Sequence, residues 1–295
     1  MVRGAFGGPF AHEEAETRLT KILDRAKVTR IADLQPSLIM SAIQELSTPG
    51  VVSKAGLSLQ TRHHYIRTAK GFGRWLARDK RTAVDPLLNL QASGLRIQTD
   101  RRRVRRDLSA EELDRVVAVA AASDHVSVPR RHRTAPGEPV MTSTVRVTCP
   151  DRRWACLIAA GTGFRAGEVA SLTPESFDLA GDPPTVTVEA GYSKRKRRDV
   201  QPIRKDLADA LAPWLANKPT GEPVCPLPQD KAAAVLRADL ETARAIWLQE
   251  AATPGERDRR ERSDFLCYAD SAAATPTSTA FGTGTSRGWC SRAPQ

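Results

Sequence analysis

One stretch constrains this chain more than any other: Gly161-Thr162-Gly163-Phe164-Arg165-Ala166-Gly167-Glu168-Val169-Ala170-Ser171-Leu172. It follows an apolar helical run from Trp154 to Ala160 and leads into Thr173-Pro174-Glu175-Ser176-Phe177-Asp178-Leu179. The two glycines are expected to break the first helix, and Val169 and Leu172 recur at helical spacing in a second helix that Arg165 opens. A guanidinium held at such a turn by rigid backbone on both sides can aim a planar fork of donors at a phosphate. Glu168, three residues on, reaches the same helical face. Spacing alone accommodates a blander reading too, a glycine cap followed by a solvated arginine–glutamate pair.

A second feature follows. Thr185-Val186-Thr187-Val188-Glu189-Ala190 alternates as a strand, Gly191 to Arg198 makes a basic turn, and Asp199-Val200-Gln201-Pro202-Ile203 reads as the returning strand. In this order the two features resemble the tyrosine recombinase (phage integrase) family, whose first arginine box reads T-G-x-R-x-x-E-x-x-x-L. Its β-hairpin carries a catalytic lysine ahead of a V-x-P-[LI] signature. The resemblance implies that Arg165 is the first catalytic arginine, Lys194 the lysine with Lys196 a second candidate, and Glu168 the acidic residue bracing the box. It also implies attack of a tyrosine hydroxyl on DNA phosphorus, giving a 3′-phosphotyrosine and a free 5′-hydroxyl. Arginine and histidine-type donors would stabilise the anionic transition state, with no metal or other cofactor.

Composition agrees with an acidic polymer as partner. The chain has 295 residues and a formal net charge of +11, enough length for two domains and enough charge to attract nucleic acid. Basic runs occur at Arg101-Arg102-Arg103, Arg105-Arg106 and Lys194 through Arg198. Any one run alone is ordinary solvated surface; three around one expected domain point to phosphate.

The fold class expected is mainly α with a small β-hairpin or sheet (α+β). Helical patterns cover Ala15 to Val28, Pro36 to Leu46 and Leu57 to Asp79. The last carries Tyr65, Ile66, Ala69, Phe72, Trp75 and Leu76 on one side. Arg62, His63, His64, Arg67, Lys70 and Arg74 lie on the other. Such a face suits a DNA groove and equally suits an ordinary surface helix. A short helix is expected from Asp85. Ser109-Ala110-Glu111-Glu112 is a capping box opening another helix, and 124–150 reads as an irregular insertion in which Val140, Val145 and Val147 hint at a hairpin. Helices are expected over Leu207 to Ala216 and Lys231 to Glu250. With the family as guide, residues 1–92 would form a helical core-binding domain and 93–108 a basic linker. Residues 109–270 would form a partial catalytic domain, clamping duplex DNA with the first. Residues 271–295 would be an aberrant tail.

The family's second box, H-x-x-R-H, and its nucleophile belong after about residue 270, and neither is there. No histidine follows His132, and the tyrosines are Tyr65, Tyr192 and Tyr268. Ser271 to Ser286 has neither helical nor strand period. Re-read in the frame that starts from each codon's third base, the tail can encode H-x-x-R-H and then an amphipathic helix. A frameshift near codons 270–273 is the expectation. The chain then reads as a site-specific recombinase that binds DNA without cleaving it. The alternatives are a non-catalytic DNA-binding accessory protein, or a basic helical protein preferring RNA loops. The family works as a tetramer on DNA when its C-terminal docking segment is intact. Five cysteines without a C-x-x-C pair suit a reducing compartment. No long apolar run suggests a membrane span, so a cytoplasmic, nucleoid-associated protein is expected.

Overall fold

The computed structural model describes residues 9–91, 99–100, 104–132, 141–193, 196–228, 230–271 and 274–276. The described structure is mainly helical with small sheets, and the chain divides into two compact units, Met1–Arg102 and Arg103–Gln295.

The first unit is built on α1 (Pro9–Ala26), α2 (Pro36–Leu46) and α3 (Leu59–Arg78). α1 begins at Pro9 rather than at the expected Ala15, and proline suits a first helical turn, where its missing N–H is not needed. Leu19 and Ile22 of α1, Ile39 and Ile43 of α2, and Ile66, Phe72 and Leu76 of α3 close one apolar core. Ser58 starts α3: its Oγ accepts the Thr61 N–H at 3.1 Å. The helix expected at Asp85 is a turn instead. Asp85 Oδ1 accepts the Leu87 N–H at 2.8 Å, a local side-chain bond that competes with helix formation. The turn sinks Leu87 and Leu90 into the core and passes so close to α3 that a Cβ on Gly73 would lie 2.2 Å from Asp85 Oδ1. Glycine is required there.

The second unit runs β1 (Val104–Arg105), α4 (Ala110–Ala122), β2 (His125–His132), β3 (Met141–Thr148), α5 (Arg152–Thr162) and α6 (Ala166–Val169). It continues with β4 (Phe177–Asp178), β5 (Thr185–Val188), β6 (Asp199–Pro202), α7 (Lys205–Leu215), α8 (Ala232–Gln249), α9 (Pro254–Glu261) and β7 (Ala274–Thr275). The sheets are a parallel β1–β7 pair, an antiparallel β2–β3 ribbon and a β4–β5–β6 meander. The main core gathers Val116 of α4, Ile158 of α5, Val169 of α6, Val186 and Val188 of β5, Leu211 of α7 and Leu240 of α8. Trp214 packs on that core and stacks on Trp154 at 5.2 Å between ring centroids.

One stretch differs from the sequence reading, and another that the pattern left open is helical. The irregular insertion expected over 124–150 is a regular ribbon of two eight-residue strands, with Val145 and Val147 in β3. Val140 lies outside the described residues. The charged run from Arg257 to Arg262 lies largely in α9, which has almost no apolar side. Thr253 caps it, Pro254 opens it, and Arg257–Glu261 (3.1 Å) and Arg260–Glu256 (2.5 Å) pair along its surface.

Candidate nucleic-acid interface

Between α5 and α6 the chain makes a tight turn. α5 continues through Gly161 and ends on Gly163, which takes φ +74° as the helix cap and donates its N–H to Ala159 O at 2.9 Å. One glycine, not two, breaks the helix. Thr162 Oγ1 holds the turn from both sides, donating to Ile158 O at 2.7 Å and accepting the Phe164 N–H at 3.1 Å. Phe164 is then buried, and Arg165 stands at the N-cap of α6.

Glu168 fixes that arginine twice. Its Oε2 accepts the Arg165 backbone N–H at 2.8 Å and its Oε1 accepts from Arg165 Nη1 at 3.0 Å. The glutamate side chain is 9% exposed and the arginine 50%. Among the described residues, that Nη1 bond is the guanidinium's hydrogen bond, so most of its five donors face outward. The site combines a buried carboxylate, an ordered backbone turn and a half-exposed planar cation, which is a geometry for gripping an anion.

The hairpin forms close to where the sequence places it. β5 pairs with β6 in the register Val186↔Gln201 and Val188↔Asp199. Val186 and Val188 share a core with Val169 and Leu172 beside the arginine box, so one apolar cluster anchors both features. At the hairpin end, Tyr192 and Ser193 donate backbone N–H bonds to Glu189 O at 3.0 and 3.1 Å, and Lys196 adopts φ +52° with its side chain exposed. Lys194 lies outside the described residues, as do Arg101, Arg102 and Arg103.

On α3 the expected polar face is partly open. Arg67 and Arg74 are exposed, and His63 and Lys70 are half-buried. Arg62 turns toward α2, donating from Nη2 to Gln44 Oε1 at 2.7 Å. His64 has a lowered pKa, first because burial disfavours its charged form and then because Arg18, Arg67 and His63 lie near it, with Glu14 opposing.

Arg106 departs from the expected DNA-binding set. Its Nη1 and Nη2 donate to Glu112 Oε2 and Oε1, both at 3.0 Å, and Nη2 also reaches Cys267 O. Its side chain is 15% exposed and that of Glu112 6%. Glu112 completes its shell by accepting from Ser109 N at 2.9 Å and Leu266 N at 2.8 Å. Arg106 therefore braces the fold, and residues around it that read as linker are tied into the second unit. Its neighbour Arg105 is exposed, on β1. Tyr268 is partly buried beneath the Arg237 guanidinium, 4.0 Å from the ring centroid. Sequence reasoning missed the buried Arg152–Asp239 pair, because nothing in the spacing of residues so far apart announces it.

Among the described residues, no helix is long and apolar enough to cross a membrane, and no group of three or more His, Cys, Asp or Glu side chains is placed to hold a metal. No protein-family model matches the sequence, and no curated protein does. Matches occur among solved structures, three of them at 14% sequence identity. The integrase of mycobacterium phage Brujita matches with a TM-score of 0.31, covering 93% of this chain and 70% of that one. The XerA recombinase matches with a TM-score of 0.33, covering 89% and 80%. The Tn1549 transposon integrase, solved in complex with a circular intermediate DNA, matches with a TM-score of 0.47, covering 88% and 81%.

Proposed function

We propose that the chain is a tyrosine-type site-specific recombinase, or integrase, that binds duplex DNA but lacks the residues to cleave it. The observation that carries this reading is the Arg165 box: a half-exposed guanidinium on an ordered helix start, clamped from behind by buried Glu168. In an active relative of this design, Arg165 would neutralise charge developing on the attacked phosphate, and Lys194 would protonate the leaving 5′-oxygen. Glu168 is a positioning residue. Arg67, Lys70 and Arg74 on α3, with His63 beside them, and Lys196 on the hairpin supply phosphate contacts, as do Arg101, Arg102, Arg103 and Arg105 nearer the middle of the chain.

Missing are a histidine after His132 and a tyrosine beyond Tyr268. Tyr268 precedes the place where the second box belongs, so it is not assigned as the nucleophile. Groups that act as a unit lose most of their catalysis when members are removed. The same absence favours a second reading, a non-catalytic DNA-binding accessory protein. The gene's nucleotide sequence beside a near relative's separates the two.

Two experiments test the main reading. Affinity for duplex DNA should fall steeply with salt through counterion release, and Arg67→Ala with Arg74→Ala should weaken it. Salt-independent binding, or preference for single-stranded RNA, would contradict the assignment. A suicide duplex should then give no denaturant-resistant adduct with the 295-residue chain, and should give one when the reading frame is restored near codon 271. Arg165→Ala should reduce that adduct by the ~3–4 kcal/mol typical of losing one oxyanion donor.

A further inference from the structure

We propose that the β2–β3 ribbon is an additional DNA-contacting arm of the second unit, lying in a groove with phosphate on both sides; this rests on the reading of the chain as a duplex-DNA binder. The register puts Val126↔Val147 and Val128↔Val145 on one face of the ribbon. Val126, Val128 and Val147 are buried against α8, where Val235, Ala234 and Ala238 receive them. The next pair on that face is Arg130↔Ser143, and both residues are exposed. The apolar anchor therefore stops midway, and the outer half of the ribbon has no core to rest on.

The composition of the ribbon names its partner. β2 and β3 together contain Arg130, Arg131 and Arg146 and no aspartate or glutamate. Arg130 and Arg146 make no ion pair with a described residue, and the register puts them on opposite faces. No third strand joins the pair among the described residues. Eight residues at ~3.4 Å each give a ribbon of about 27 Å, and the major groove, about 12 Å wide, admits a two-stranded ribbon. Arg130 on the outer half and Arg146 on the opposite face nearer the anchor then each reach a phosphate as the ribbon enters the groove. The open strand edges could instead add to a second copy of the chain, but arginine on both faces of both copies would oppose that approach. A polyanion fits better.

The test titrates the full chain and the R130A/R146A variant with a long mixed-sequence duplex over a range of salt. Both side chains are exposed and remote from the Arg165 box in sequence. The variant should bind about tenfold more weakly at moderate salt. Its plot of log affinity against log salt should be less steep by about 1.8, the value for two lost phosphate contacts. R130K/R146K should restore the slope, which a folding defect would not allow. A photocrosslinker on T144C, on the exposed face, should join the duplex. If the unaltered chain binds no duplex, the parent reading and this one fail together. If the unaltered chain binds with a steep salt slope and R130A/R146A matches it, the ribbon proposal alone falls. Crosslinking of T144C to a second copy rather than to DNA would also overturn it, in favour of a self-association edge.

Discussion

Among the described residues of the second unit, three arginine–carboxylate pairs have a buried carboxylate, and the same chemistry is put to opposite uses. At Arg152–Asp239 both side chains are buried, 3% and 4% exposed. Arg152 Nε and Nη2 bond the carboxylate at 2.9–3.3 Å, while Nη1 and Nη2 also reach the carbonyls of Ser123 and Val119. At Arg106–Glu112 the terminal nitrogens are likewise committed within the fold. At Arg165–Glu168 the carboxylate is buried and the guanidinium is not. What separates a brace from a grip is how many of the five arginine donors the protein keeps for itself. The first two pairs spend theirs joining α4, α5, α8 and the segment after α9; the third leaves most of them for a ligand.

The comparison breaks most visibly at Arg152. Arg152→Met should leave Asp239 buried without a partner and cost ~3–5 kcal/mol of stability, measured as a drop in denaturant midpoint. Arg152→Met with Asp239→Leu should recover most of it, because a well-packed apolar pair replaces a desolvated ionic one. Burial pushes Asp239 above its ordinary carboxylate value, with Arg152 opposing. Without the arginine that rise is unopposed, so the folded form favours the protonated acid. The deficit of Arg152→Met should therefore shrink as pH falls toward the range where Asp239 takes up a proton. A cost below about 1 kcal/mol, the range of exposed pairs, would erase the distinction between brace and grip.

Glu112→Gln comes next. It keeps the shape but removes the charge facing Arg106, and should cost ~1.5–3 kcal/mol, the range for hydrogen bonds to charged groups. Arg165→Ala should change stability by no more than ~1 kcal/mol, since its side chain is half exposed, while weakening phosphate contact. A large loss of stability there, with duplex binding unchanged, would make Arg165 a third brace.

The smallest effect extends the comparison to a group whose neighbours are mostly cations. His64 has a pKa below the ordinary histidine value of about 6.5 for the reasons given above. The unfolded chain thus binds more protons there than the folded one, so stability should fall as pH drops from about 6.5 toward the folded value and level off below it. His64→Gln should flatten that slope in acid melts; an unchanged slope would place its origin elsewhere.

Legibility in the sequence followed the range of the forces involved. The helices α2 and α3, the Ser109 cap and the β5–β6 hairpin rest on local periodicity and capping, and they were readable within a residue or two, whereas the start of α1 lies six residues earlier than its pattern. The spacing of Arg165 and Glu168 was readable for the same reason: they lie one helical turn apart. The Asp85 turn was misread because one side-chain hydrogen bond outweighed a Pro-Leu-Leu pattern. The ribbon was misread because its valines face α8, a helix more than eighty residues further on that alternation cannot announce. Arg106 was misassigned because a run of arginines looks the same in sequence whether its donors face water or Glu112.

The bonds Glu112 makes have a consequence for the order of synthesis. Its shell is completed by the Leu266 N–H, its partner Arg106 by the Cys267 carbonyl, and β1 by β7, in the register Val104↔Ala274. A ribosome making this chain finishes α4 well before it reaches any of these partners. Until residues 264–275 emerge, the start of the second unit holds a charged pair and a single strand waiting for mates encoded more than 150 residues later. Among the described residues, the first unit shows no such dependence in its core, which is drawn from residues 19–90. It can fold while the second is still being translated, and an interruption of translation before residue 264 would release a folded first unit joined to an unlatched second.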